Sequence, residues 1–169
     1  INLATQNLSL VELENLGSKW VFGGFESSKL KDLKILILSN ANYDLILNPL
    51  VATGLRHGIN LEIVRSAYNQ VGNIVFSESD NILRDVDIIL LALDFRGLPF
   101  SINANENNLN EKVVPYIKSL LLGIREKTDA KLIVSNIAEP FVGLSGNKEI
   151  SLKTSMLYQI DQFNKYLAE

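Results

Sequence analysis

At 169 residues, 47% of them apolar, the chain is long enough and apolar enough for one packed domain, which excludes global disorder. A net charge of −3 leaves no basic footprint, so nucleic acid is not expected as a partner. Cysteine is absent, which excludes disulfides and thiolate chemistry, disfavours a structural zinc site and fits a cytoplasmic location.

In chain order, residues 1–32 read as a lead-in. Ser9-Leu10-Val11-Glu12 has the Ser-x-x-Glu spacing of a capping box, which predicts a short helix over 10–18. The stretch 21–32 reads as a loop, and Trp20 is expected to anchor the lead-in against the domain that follows. "LKILIL" (33–38) is a run of branched apolar residues without alternation, the pattern of a strand covered on both faces. Helical spacing continues through Leu45, Leu50 and Leu55 and closes at Gly58. "NLEIVR" (60–65) is a second strand, 67–84 holds one or two short helices, and "VDIILLAL" (86–93) is a third strand. No apolar run reaches the length of a membrane span; "IILLAL" is strand-sized. Residues 109–128 carry a helical stripe in which Pro115 predicts a late start or a kink. "AKLIVSN" (130–136) is a fourth strand, a loop covers 138–148, and a last helix runs over about 152–168.

Strands alternating with helices predict an α/β fold: a three-layer sandwich around a parallel, doubly wound sheet in flavodoxin-like order 2-1-3-4. Ligands of such sheets bind beyond the carboxyl ends of the strands. Those ends carry Ser39, Asn40 and Asn42 after strand 1, Asp94 and Arg96 after strand 3, and Asn136 after strand 4. These six residues are the ligand-binding candidates.

Each candidate has two readings. No glycine-rich phosphate loop follows strand 1, so the 43–57 helix offers an anion only its free N–H groups, or Asn40 or Asn42 simply caps it. Asp94 either binds a ligand or acts as a base, or it pairs with Arg96 or caps the next loop. Arg96 has the fork to hold a phosphate or carboxylate. Tyr68 either lines a pocket or packs. Asp44 is a helix-dipole partner, and Asp85 and Asp87 are solvated. His57, the sole histidine, falls at the far end of a helix, away from the strand-end edge, so no Ser-His-Asp triad is expected within the chain. No Asp/Glu/His cluster has metal-ligand spacing. The residue reading therefore names no catalytic and no metal residue.

Five pieces, "ILSNANYDLI", "LRHGINLEIVRSAYNQ", "DVDIILLALDFRGL", "KLIVSNIAEP" and "IDQFNKYLAE", together resemble the N-terminal region of FkbH-like proteins, across about 33–169. The resemblance implies an SGNH-hydrolase-like α/β domain over 33–169, followed in the parent protein by a final short strand and by a phosphatase-like domain of the HAD superfamily (subfamily IIIC) with Mg²⁺. It also implies a biosynthetic setting, in which a glyceryl or acyl unit is loaded onto an acyl carrier protein. The Asp-x-Asp-x-Thr motif of the HAD part is absent here, so this chain is expected to need no cofactor itself and to be a piece of a longer multidomain protein. Where SGNH hydrolases place Gly-Asp-Ser, this sequence has Ser39-Asn40-Ala41, so Ala41 stands at the nucleophile position. Where they place an oxyanion-donating Asn, it has Asp94. An ionised carboxylate there repels a developing oxyanion.

The expected function is thus a non-hydrolytic SGNH-like domain that assists transfer by binding or by positioning the adjacent HAD domain. One alternative is an active esterase or acyltransferase that uses Ser39 and a histidine beyond Glu169. Another is a flavodoxin-like binding or receiver domain; Asp94 fits a receiver loosely, but Asn40 and Asn42 lack the acidic charge and no Lys follows "LIVSN".

Overall fold

A computed structural model describes residues 6–23, 29–77, 81–101, 108–140 and 151–168. Helix α1 (Leu10–Gly23) precedes strand β1 (Lys31–Ser39), helix α2 (Asp44–Arg56) and strand β2 (Ile59–Arg65). Helix α3 (Val71–Phe76), strand β3 (Ile88–Ala92), helix α4 (Val114–Arg125), strand β4 (Lys131–Val134) and helix α5 (Met156–Ala168) complete the order. The four strands form one parallel sheet in the order β2-β1-β3-β4, the doubly wound arrangement expected from the alternation.

The capping box forms as spelled. Glu12 accepts from the Ser9 amide at 2.8 Å while the Ser9 hydroxyl accepts from the Glu12 amide at 3.4 Å. The helix runs to Gly23, five residues past the expected end, because its last turns have something to pack on. Gly17 meets α2 so closely that an added Cβ would stand 2.0 Å from the Asn48 carbonyl oxygen. Trp20 donates its indole N–H to Asn60 Oδ1 on β2 at 3.1 Å, the anchor expected of it. The expected loop over 21–32 is therefore shorter: 21–23 are helical, 31–32 are strand, and 24–28 lie outside the described residues.

Strand β1 is central and its Ile35, Leu36, Ile37 and Leu38 are all buried, as unalternating apolar strands are. Leu36 and Leu38 join Ile89 and Leu91 of β3 in a core closed by Val75 of α3, Ile117 and Leu120 of α4, and Ile160 and Phe163 of α5. Alternation turns Ile35 and Ile37 to the opposite face, where α2 lies on β2 and α1 on α2. The result is a three-layer α/β sandwich.

Pro115 is accommodated by a late start. A π-helical turn (Leu109–Val113) leads in, and Pro115 then falls in the first turn of α4, where its missing N–H breaks no ladder bond. One of the two expectations about Asp85 and Asp87 changes. Asp87 is not merely solvated, since its carboxylate accepts from the Lys34 amide at 2.7 Å and pins the entry of β3 to β1. Asp85 is exposed and pairs with the Lys34 ammonium at 3.0 Å. The last helix begins at Met156 rather than about 152, and most of the 138–148 loop lies outside the described residues.

Candidate functional site

The carboxyl ends of the strands bring the sequence candidates to one edge but divide them into two groups. The first is a polar knot between β1 and β3. Asn40 is 5% exposed and follows the last residue of β1. Its amide Nδ2 donates to Asp94 Oδ1 at 2.5 Å and its Oδ1 accepts from the Asp94 amide at 2.9 Å. Asp94 Oδ1 also accepts from the Arg96 amide at 2.8 Å, which caps the single 3₁₀ turn Phe95–Gly97. Asp94 Oδ2 accepts from Arg96 Nε at 2.8 Å and from Arg96 Nη2. Of the two readings of Asp94, the geometry is that of pairing and capping. Its lone pairs face donors on every side, and the Arg96 fork engages Asp94.

Burial works against the Asp94 anion, but the hydrogen bonds from Arg96 and Asn40 outweigh it and hold the carboxyl below its ordinary value. Gly97 makes the knot possible: a Cβ there would stand 2.6 Å from Asn40 Cγ. The sequence contained this signal, a glycine just after the strand-end Asp, but only the fold supplies its reason.

The second group surrounds a cleft of about 280 Å³ between the ends of β1 and β2, with the start of α2 as its wall. Ser39, Ala41 and Asn42 line it, together with Tyr43, Asp44, Arg65, Ser66 and Tyr68. The Ser39 hydroxyl is tied into a local turn: it accepts from the Ala41 amide at 2.9 Å and lies 3.2 Å from the Ala41 carbonyl. Asn42 Oδ1 accepts from the Asp44 amide at 2.8 Å and so turns the chain into α2. Asn42, not Asn40, does the capping-type work. Asp44 does more than face the helix dipole, for its carboxylate pairs with Arg65 at 2.7 Å. Tyr68 takes the pocket-lining reading. In the sequence Ser66 marks the carboxyl end of strand 2 and Arg65 is that strand's last residue; neither carried a further signal.

Asn136 is exposed after β4. Its neighbour Ile137 is clamped by Asn164 of α5, which accepts from the Ile137 amide at 2.8 Å and donates to its carbonyl at 2.9 Å. No described hydrogen bond joins Asn136 to the knot or the cleft. His57 sits where the helical spacing put it. The Lys31 amide, at the first residue of β1, donates to the carbonyl of adjacent Gly58 at 2.9 Å, so His57 lies at the amino end of the sheet. The nine residues of β1 separate it from Ser39, about 25 Å at ~3.3 Å per residue. Among the described residues no three His, Asp or Glu side chains gather to hold a metal ion, and no helix is long and apolar enough to cross a membrane.

The strand-end edge of a doubly wound α/β sheet, with a polar knot at its switch point, defines the class of the chain. No protein-family model matches the sequence, and no curated protein does. Among solved structures it is similar to the N-terminal part of the protein BF1531 from Bacteroides fragilis, described as containing a phosphatase domain and complexed with Mg. That likeness has a TM-score of 0.70 at 17% identity and covers 96% of this chain and 42% of the solved one. At that identity the likeness shows the fold, and the chain spans less than half the length of the protein it resembles.

Proposed function

We propose that this chain is a non-hydrolytic, SGNH-like α/β domain of an FkbH-like protein. It works beside a HAD-type phosphatase domain in a longer chain, where it binds or positions what that domain acts on. The observation that carries the reading is the end of β1. The family resemblance puts Ala41 at the hydrolase nucleophile position, and the neighbouring Ser39 hydroxyl is held by the Ala41 backbone rather than by a base. The solved protein of like fold is described as containing a phosphatase domain with Mg, which supports the expected neighbour.

In this reading the polar edge keeps the binding half of a hydrolase site. The substrate class implied by the family resemblance is a glyceryl or acyl unit destined for an acyl carrier protein, and any Mg²⁺ belongs to the neighbouring domain. Among the described residues the edge offers hydrogen-bonding groups and two ion pairs, Asp94–Arg96 and Asp44–Arg65, but no activated nucleophile.

The direct test is Asn40→Ala and Asp94→Asn in the full-length protein, with carrier binding and unit transfer measured. Loss of carrier binding with the fold retained is expected. Unchanged binding and transfer in both variants would remove any role for this edge.

A further inference from the structure

We infer that the cleft between the ends of β1 and β2 is a binding site for a neutral sugar in its pyranose form. This rests on the proposal that the strand-end edge is a binding edge, and names a ligand for the half of it that lies outside the Asn40–Asp94 knot.

Size and charge narrow the ligand. A space of about 280 Å³ is roughly nine water volumes at ~30 Å³ each, enough for one six-membered ring with its hydroxyls and too small for a dinucleotide or a folded peptide. Asp44 and Arg65 face each other at 2.7 Å, and both side chains are 63% exposed. The carboxylate disfavours an anion, and the guanidinium disfavours a cation. Together they form an adjacent acceptor and donor, the pair that two neighbouring hydroxyls on a neutral ring satisfy at once.

The remaining lining points the same way. Tyr43 and Ser66 line the same space, and their hydroxyls have no hydrogen-bond partner among the described residues. Ile37 and Leu47 also line the cleft and offer an apolar surface to ring C–H groups. The Tyr68 ring is 70% exposed beside it, a large aromatic face that nothing in the described structure covers. A pyranose matches these features because one side of the ring is C–H and its rim is hydroxyl. A fatty acyl chain would give the free hydroxyls no partner and would press apolar surface against the ion pair.

The test is titration of the 169-residue chain with glucose, galactose and N-acetylglucosamine, followed by protein-observed NMR, with glucose 6-phosphate as the charged comparison. Saturable, millimolar binding of at least one neutral sugar is expected, with shifts confined to residues around the cleft. Arg65→Ala and Tyr68→Ala, both exposed and compatible with folding, should each weaken it by about fivefold or more. Leu45→Ala, exposed on α2 outside the cleft, should not. Absence of saturable binding by any of the three sugars overturns the inference. So does binding indifferent to both variants, or binding of the sugar phosphate alone. Carrier binding in the Asn40→Ala and Asp94→Asn proteins reports on the broader reading separately: if those variants lose carrier binding while the wild-type chain binds none of the three sugars, only the present inference is sunk.

Discussion

Asn40 and Asp94, on neighbouring strand ends 54 positions apart in sequence, exchange two hydrogen bonds through a single side-chain amide. One bond holds the carboxylate and the other satisfies the backbone, so the pair fixes both the end of β1 and the exit of β3. Asn40→Ala leaves the Asp94 amide and part of its carboxylate without partners. The expected cost is about 1–3 kcal/mol, the range for an orphaned part-buried group. At this chain length that is roughly 2–4 °C in Tm per kcal/mol, read by thermal melting in circular dichroism.

Gly97 supplies the space for the Asn40 amide, so the two positions should be coupled. Gly97→Ala alone puts a methyl 2.6 Å from Asn40 Cγ and is expected to destabilise by about 1–3 kcal/mol. In the Asn40→Ala background the clash is gone, and the same change should cost less than half as much. Additive costs in the double-mutant cycle would mean that Gly97 matters for its own backbone rather than for the knot.

The depressed pKa of Asp94 gives an acid-side signature. Its folded value lies below its unfolded one, so its ionised form stabilises the fold fully above about pH 4, and this contribution is lost as pH falls through the folded value. The Tm gap between wild type and Asp94→Asn should therefore be constant from pH 7 to 5 and narrow below about pH 4. A gap that is flat down to acid unfolding would show that the Arg96 and Asn40 bonds do not favour the anion.

The contact of α1 with α2 can be followed through the sole tryptophan. Gly17→Ala drives a Cβ to 2.0 Å from the Asn48 carbonyl oxygen, which is backbone and cannot move aside cheaply. The expected result is separation of α1, with Trp20 losing its bond to Asn60 and its emission shifting to the red at temperatures where the sheet still gives its native far-ultraviolet signal. Unchanged emission would place the adjustment in α2 instead.

Ser39 is held by the Ala41 backbone and makes no hydrogen bond to a base among the described residues. Hydrolysis of p-nitrophenyl acetate by the chain, and by a longer one that includes the segment after Glu169, is expected to equal the background rate in wild type and Ser39→Ala alike. A rate above background that Ser39→Ala abolishes would restore the esterase alternative.

Local rules acting over a few residues determined much of this protein. The capping box at Ser9 and Glu12 starts α1, the unalternating run 35–38 makes β1 a strand buried on both faces, Gly58 ends α2, and the alternation of strands and helices sets the sheet order. These depend on periodicity, capping and handed crossovers, which short stretches of sequence spell out. The spacing also put His57 at the wrong end of the sheet for catalysis, because a helix carries its C-terminus away from the strand end that began it. Tertiary structure decided the rest. The six strand-end candidates were found as a set, but their division was not: Asn40, Asp94 and Arg96 satisfy one another, Ser39 and Asn42 turn toward a separate cleft, and Asn136 stands apart. That Arg65 pairs with Asp44, that Tyr68 lines the cleft rather than packs, and that α1 extends over Asn48 were illegible for the same reason. Whether a polar side chain is spent on a neighbour or left facing solvent depends on which residue the fold brings within 3 Å of it, and for Asn40 that residue lies 54 positions away.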